Sequence, residues 1–211
     1  MQIFTGAPNA PFIGEVQAFT ILFVMLGPIN YLATFVRITK DASLGLQRRI
    51  ALRANAIADV SIVLSAAVGV ILLGKWRISV AALAIAAAVV LFMVAVRSLL
   101  ALYGRAPASD DAPPSIDLAI SPIAFPQMVT PYGVATLILL VVLEPENWLT
   151  ILMLLAIVMA INFLLTFYAR QIWGILRVPL GLLQVVLTVL QLAVSIQFLL
   201  FGIRMALLRG A

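Results

Sequence analysis

The chain has 211 residues, 64% of them hydrophobic and 10% charged, with a formal net charge of +5. Soluble domains carry about 25% charged residues, and several apolar runs here exceed the roughly 20 residues that cross a bilayer core as a helix. An ordinary soluble fold is excluded, and an all-α polytopic membrane protein is expected. Without Cys or His, disulfides, thiol nucleophiles, Ser-His triads and the usual zinc sites are excluded as well.

The pI near 10.2 does not point to nucleic acid, because the 13 Lys and Arg are spread over short loops and helix ends rather than gathered in a patch. The first residues, "MQIFTGAPNAPFIGEVQAF", contain no Lys or Arg. They lack the charged start of a signal peptide, so the first apolar segment is expected to stay in the protein.

Six spans are predicted, over 15–36, 51–73, 78–103, 118–143, 148–173 and 180–208. The longest polar break, "GRAPASDDAPPSID", has the Pro, Ser, Asp and Gly content of a solvated linker. It divides the chain into a first three-helix unit (1–103), a linker (104–117) and a second three-helix unit (118–211). A unit with an odd number of spans inverts when repeated, so a 3+3 inverted-topology repeat is permitted.

Lys and Arg counts orient the bundle. One side carries Arg37, Lys40, Arg48, Arg49, Arg53, Arg97, Arg105, Arg170 and Arg177; the other carries Lys75, Arg77, Arg204 and Arg209. The richer side belongs in the cytoplasm, which puts both termini and the acidic turn "EPEN" outside. Trp76, Trp148 and Trp173 fall at predicted span ends, where aromatic belts form.

Two spans contain helix breakers. Span one holds "LGPIN", Leu26 to Asn30, and span four opens with "SPIAFPQMVTPYG", Ser121 to Gly133. These are the first helices of the two halves. Paired Pro/Gly-interrupted spans point to a midplane binding site in a transporter, while the alternative is two ordinary proline kinks. The candidate substrate-binding residues are Gly27, Pro28, Asn30, Pro126, Thr130, Pro131, Tyr132 and Gly133.

Asp59 is the one acidic residue well inside a predicted span, roughly 10 Å from its start. Such a residue is expected to face the bundle interior and to carry a proton or pair with a cation. With Asn55 one turn earlier on the same face, it is the candidate for a coupling ion; the alternative is a carboxylate reaching the interface near Arg53. In span six, Gln184, Thr188, Gln191 and Ser195 share one narrow face. That face is expected to point inward, as a lined path or as hydrogen bonds between helices. Asn162 and Thr166 form a similar pair in span five, with helix packing again the alternative.

At the broken helices the sequence resembles the MarC family of bacterial inner-membrane proteins, which sits with the LysE-type exporters. In "GPINYLATF", Pro28 and Phe35 match the family pattern, while Gly27, Asn30 and Ala33 replace its Asn or Asp, Gly and second Pro. In "PIAFPQMVTPYG", Pro122, Ala124, Pro126 and Pro131 match in register. Thr130 and Tyr132 replace two glycines, and Gly133 comes one position late. The small-residue run "AIAAAVV" followed by Arg97 also matches.

The resemblance implies a 3+3 inverted repeat with a substrate site between the broken first and fourth helices. Some relatives look like transporters of small neutral amino acids coupled to protons or sodium. Thr130 and Tyr132 in place of glycine imply a larger substrate or no transport.

The expected function is therefore a secondary transporter or exporter of a small polar metabolite, an amino acid first among them. The alternative is a non-transporting structural or regulatory protein of the inner membrane. No enzyme activity, cofactor or metal is expected, since one deep carboxylate is too few for paired acid–base chemistry. The expected partners are the lipid bilayer and a small-molecule substrate, with small-residue faces that suit a homo-oligomer.

Overall fold

A computed structural model describes residues 14–27, 31–103 and 115–209. These residues are almost entirely helical, and no strand occurs among them. Helix α1, Glu15–Leu26, opens with the Gly14 N–H donating to Gln17 Oε1 at 3.2 Å, and Glu15 suits the positive end of its dipole. It stops at Gly27, which is extended (φ −72°, ψ 164°). A β-carbon there would collide with the Phe23 carbonyl, so the break needs glycine. Helix α2, Leu32–Ile38, follows. Pro28 and Asn30 lie outside the described residues.

Helix α3, Leu44–Trp76, has 33 residues and is capped by Ser43, whose Oγ accepts from the Leu46 N–H at 3.2 Å. It begins seven residues before the expected Ala51, so its first two turns carry Arg48 and Arg49. Helix α4 is Val80–Tyr103.

The fourth predicted span is two pieces bent by 55°, Ile116–Met128 and α5, Pro131–Leu143. In the first piece, Ser121 and Phe125 are extended. Each precedes a proline, and proline disfavours helical backbone in the residue before it. A wide turn closes the piece, with the Val129 N–H donating to the Ala124 carbonyl at 2.9 Å. Of the predicted linker, 104–114 lies outside the described residues; Ile116–Ala119 forms a 3-10 turn behind Ser115.

After another short turn come α6, Trp148–Phe167, and α7, Ala169–Arg209. The fifth span therefore ends at Phe167 rather than Trp173, and α7 starts at Ala169 rather than Leu180. Trp173 lies near the start of α7 rather than at the end of α6, just before the apolar stretch that begins at Arg177. The stretch 169–179 is rich in helix formers, so a single residue, Tyr168, makes the junction. Pro179 lies inside α7 without ending it.

Four helices (α3, α4, α6 and α7) are long and apolar enough to cross a membrane, and the bent pair makes a fifth candidate. At 12 residues, α1 spans about 18 Å, short of a bilayer core of about 30 Å.

Helix α1 packs against α6, α5 against α3, and α4 runs along α7. The α4–α7 seam is built from Ala81, Ala84 and Ala88, all buried, against Phe198, Phe201 and Gly202. A β-carbon on Gly202 would lie 2.6 Å from Ile85 Cγ1 and 2.9 Å from the Ala81 carbonyl oxygen. Small residues that let backbones approach are the usual seam between helices in lipid. Large apolar side chains such as Val60, Leu64, Met93, Ile175 and Leu182 point outward, as suits a surface solvated by lipid tails.

Candidate functional site: the helix breaks and their polar supports

Ending α1 at Gly27 leaves its last carbonyls without intrahelical donors. Side chains from far along the chain supply them. Asn162 Nδ2 on α6 donates to the Leu26 carbonyl at 2.8 Å, and Gln191 Nε2 on α7 donates to the Val24 carbonyl at 3.0 Å. In hydrocarbon, backbone freed by a break must be satisfied within the protein, and these two side chains do so for the Leu26 and Val24 carbonyls.

The second break is solved locally. Thr130 is the N-cap of α5, and its Oγ1 accepts from the Gly133 N–H at 3.2 Å. Pro131 occupies the first helical position, where a missing N–H costs nothing. The two breaks meet: a β-carbon on Gly133 would strike the Leu26 side chain. Gly27, Thr130, Tyr132 and Gly133 are therefore brought to one junction, with Thr130, Tyr132 and Gly133 buried. Pro131 borders it but is exposed, and Pro126 is exposed on the preceding piece.

Beside this junction lies a polar cluster. Asn55 Nδ2 donates to the Ala51 carbonyl at 2.8 Å and to Thr166 Oγ1 at 2.9 Å, and the Thr166 hydroxyl donates to the Asn162 carbonyl at 2.5 Å. The Tyr31 hydroxyl, at the start of α2, sits beside Thr166 and within electrostatic reach of Asp59. Tyr31 Oη, Asn55 Oδ1, Asp59 Oδ1 and Asn162 Oδ1 are buried and make no hydrogen bond among the described residues. The cluster thus presents oxygen lone pairs in excess of donors. It suits a proton, an ammonium group or another compact cation.

On α7, Thr188, Gln191 and Ser195 are buried and Gln184 is half-buried. Thr188 and Ser195 return their hydroxyls to their own helix, at 2.8 Å to the Gln184 carbonyl and 2.6 Å to the Leu192 carbonyl. Gln191 thus makes the long-range tie of that face. Sequence reasoning did not single out Tyr31, since an aromatic inside an apolar stretch carries no signal. The signal for Asn162 and Thr166 was present: the second long helix of each half carries a polar pair at i, i+4, Asn55/Asp59 and Asn162/Thr166.

Two cavities flank the bundle. One, of about 480 Å³, lies between α3 and α6 and is lined by Asp59, Val63 and α6 side chains from Leu152 to Phe163. The other, of about 80 Å³, lies between Glu15, Glu144 and Asn147 at the end of the bundle where α1 begins. Neither is lined by Gly27 or by residues 126–133. Among the described residues no group of three or more acidic side chains could hold a metal ion.

The family model described as MarC family integral membrane protein matches residues 13–207. No curated protein and no solved structure matches the chain. The match runs through both breaks, the polar cluster and all seven helices, and the chain belongs to the MarC family of integral membrane proteins.

Proposed function

We propose that the protein is a secondary transporter or exporter of a small polar metabolite, an amino acid first among them, working by alternating access at the junction of the two broken helices. The carrying observation is that α1 stops at Leu26, with its freed carbonyls held by Asn162 and Gln191, directly against the capped start of α5 at Gly133. A helix start favours a substrate carboxylate and a helix end favours an ammonium; Thr130, Asn162 and Gln191 already bond the backbone groups there, so a zwitterion would meet the two dipole ends or displace those side chains.

Six spans in a 3+3 inverted repeat complete the reading: α1–α2 with α3 and α4, then 116–143 with α6 and α7. It is supported by matched packing, α1 against α6 as α5 against α3. Asp59, with Asn55 beside it, is the coupling carboxylate, exchanging a proton or sodium ion.

The setting is a bacterial inner membrane with both termini outside. The α2–α3 end is basic. Arg48 stacks 5.0 Å from the centre of the Phe167 ring, and Arg170 Nη1 donates to the Ala42 carbonyl at 3.1 Å. The opposite end brings Glu15 and Glu144 together, which agrees with positive residues kept inside.

The test is flux of radiolabelled amino acids into proteoliposomes. Pro28→Ala together with Pro131→Ala is expected to abolish uptake while the protein remains folded and monodisperse. Unchanged flux in the double variant overturns the reading. A second reading, a non-transporting structural or regulatory membrane protein, draws on Tyr132, which is 5% exposed and fills the junction where a substrate would sit. No flux of any amino acid by a folded wild-type protein favours it.

A further inference from the structure

The groove between α3 and α6 is lined by neither Gly27 nor any of residues 126–133. Its walls are Val63, Leu155, Met159 and Phe163, with Ala156 and Ala160 keeping it deep. Val63, Ala156 and Ala160 are exposed on the outside of the bundle, so the groove opens sideways, toward the lipid. Asp59 is the ionisable residue in its lining.

A carboxylate in this position needs a positive charge or a proton. Among the described residues the ion pair formed is Lys40–Asp41, and Asp59 has none. Arg53 is exposed and, six residues earlier, projects from a different face of α3. One buried oxygen of Asp59 makes no hydrogen bond among the described residues.

The volume of about 480 Å³ falls in the range of small-molecule sites, which are mostly apolar with a few polar groups that fix orientation. One carboxylate balances one positive charge. The apolar walls call for an apolar body, and the lateral opening calls for a molecule that partitions into the bilayer.

We propose that this groove is a lateral binding site for an amphipathic monocation, an alkyl- or arylammonium whose charged head pairs with Asp59 and whose apolar body lies along Met159 and Phe163. The site lies apart from Gly27 and residues 126–133 but shares Asp59 with the proposed coupling site, so its test reads binding without transport. An occupant would compete with any coupling ion for the same carboxylate.

The test uses the purified full-length protein in a neutral maltoside detergent, with octylammonium as probe and octanol and octanoate as controls of matched length. A ligand of the native state raises its apparent stability, so thermal stability is read against probe concentration without any gradient. Octylammonium is expected to stabilise the wild type, while octanol and octanoate do not. Binding is expected to weaken about tenfold or more in Asp59→Asn, to persist in Asp59→Glu, and to be lost in Ala160→Trp, which fills the groove from its exposed rim.

Equal stabilisation by octanol overturns the proposal and leaves the groove a seat for lipid tails. Undiminished binding in Asp59→Asn or in Ala160→Trp overturns it by placing the cation elsewhere. Failure of amino acid flux in liposomes leaves this result untouched, and loss of octylammonium binding leaves the flux reading untouched.

Discussion

The α4–α7 seam and the α3–α6 pair join the same two halves of the chain, yet they are built differently. Along α4–α7, alanines and Gly202 bring backbones together, and the side chains between them are apolar and buried. Between α3 and α6, Asn55, Thr166 and Asn162 form a polar tie, and beyond it the helices part around Asp59 to leave the groove. The difference is between a dry, close-packed seam and a polar tie beside open space. A tight apolar seam holds the halves without specifying any ligand, while polar ties beside open space leave lone pairs and room for one.

That comparison can be broken by substitution, read as thermal stability of the purified protein in detergent. The largest effect is expected at the seam. Gly202→Leu meets backbone on α4 that cannot move aside, and overpacking of this kind costs about 1–3 kcal/mol. A variant as stable as wild type would show that the seam is loose. An intermediate effect is expected for Asn162→Leu, which removes the donor to the Leu26 carbonyl. Ties between membrane helices contribute about 0.6 kcal/mol on average and up to about 1.7, so a loss within that range is expected. No loss would mean that the end of α1 is held by other groups. The smallest effect belongs to Ala160→Leu, whose side chain enters the open groove and is expected to change stability by less than about 0.5 kcal/mol. A loss as large as that of Gly202→Leu would erase the distinction between the two pairs.

Much of this architecture was legible in the chain. Apolar run lengths located α4, the start of α6 and most of α3 to within a few residues, because lipid imposes long continuous helices. The prolines were legible as interruptions, and Pro131 shows why: it marks the first turn of α5 rather than a fault within a helix. The α6–α7 boundary was not legible. The residues on either side of Tyr168, "FLLTF" and "ARQIW", give no stop signal, and Pro179 is carried inside α7 without ending it. The supports of the first break were also hidden. Asn162 and Gln191 advertise polarity and a shared face, but nothing local says that their donors close the carbonyls of Leu26 and Val24. Local periodicity cannot report a bond between residues more than a hundred positions apart.

Those two bonds carry a consequence for how the protein is made. The chain must extend 136 residues beyond Leu26 before Asn162 exists, and 167 beyond Val24 before Gln191 does. At about 5–20 residues per second, α1 waits roughly 7–30 s for its final partners. Over that interval the nascent first helix relies on water or on the insertion machinery to satisfy its exposed end. The end of α1 is therefore closed only after α6 and much of α7 have been made.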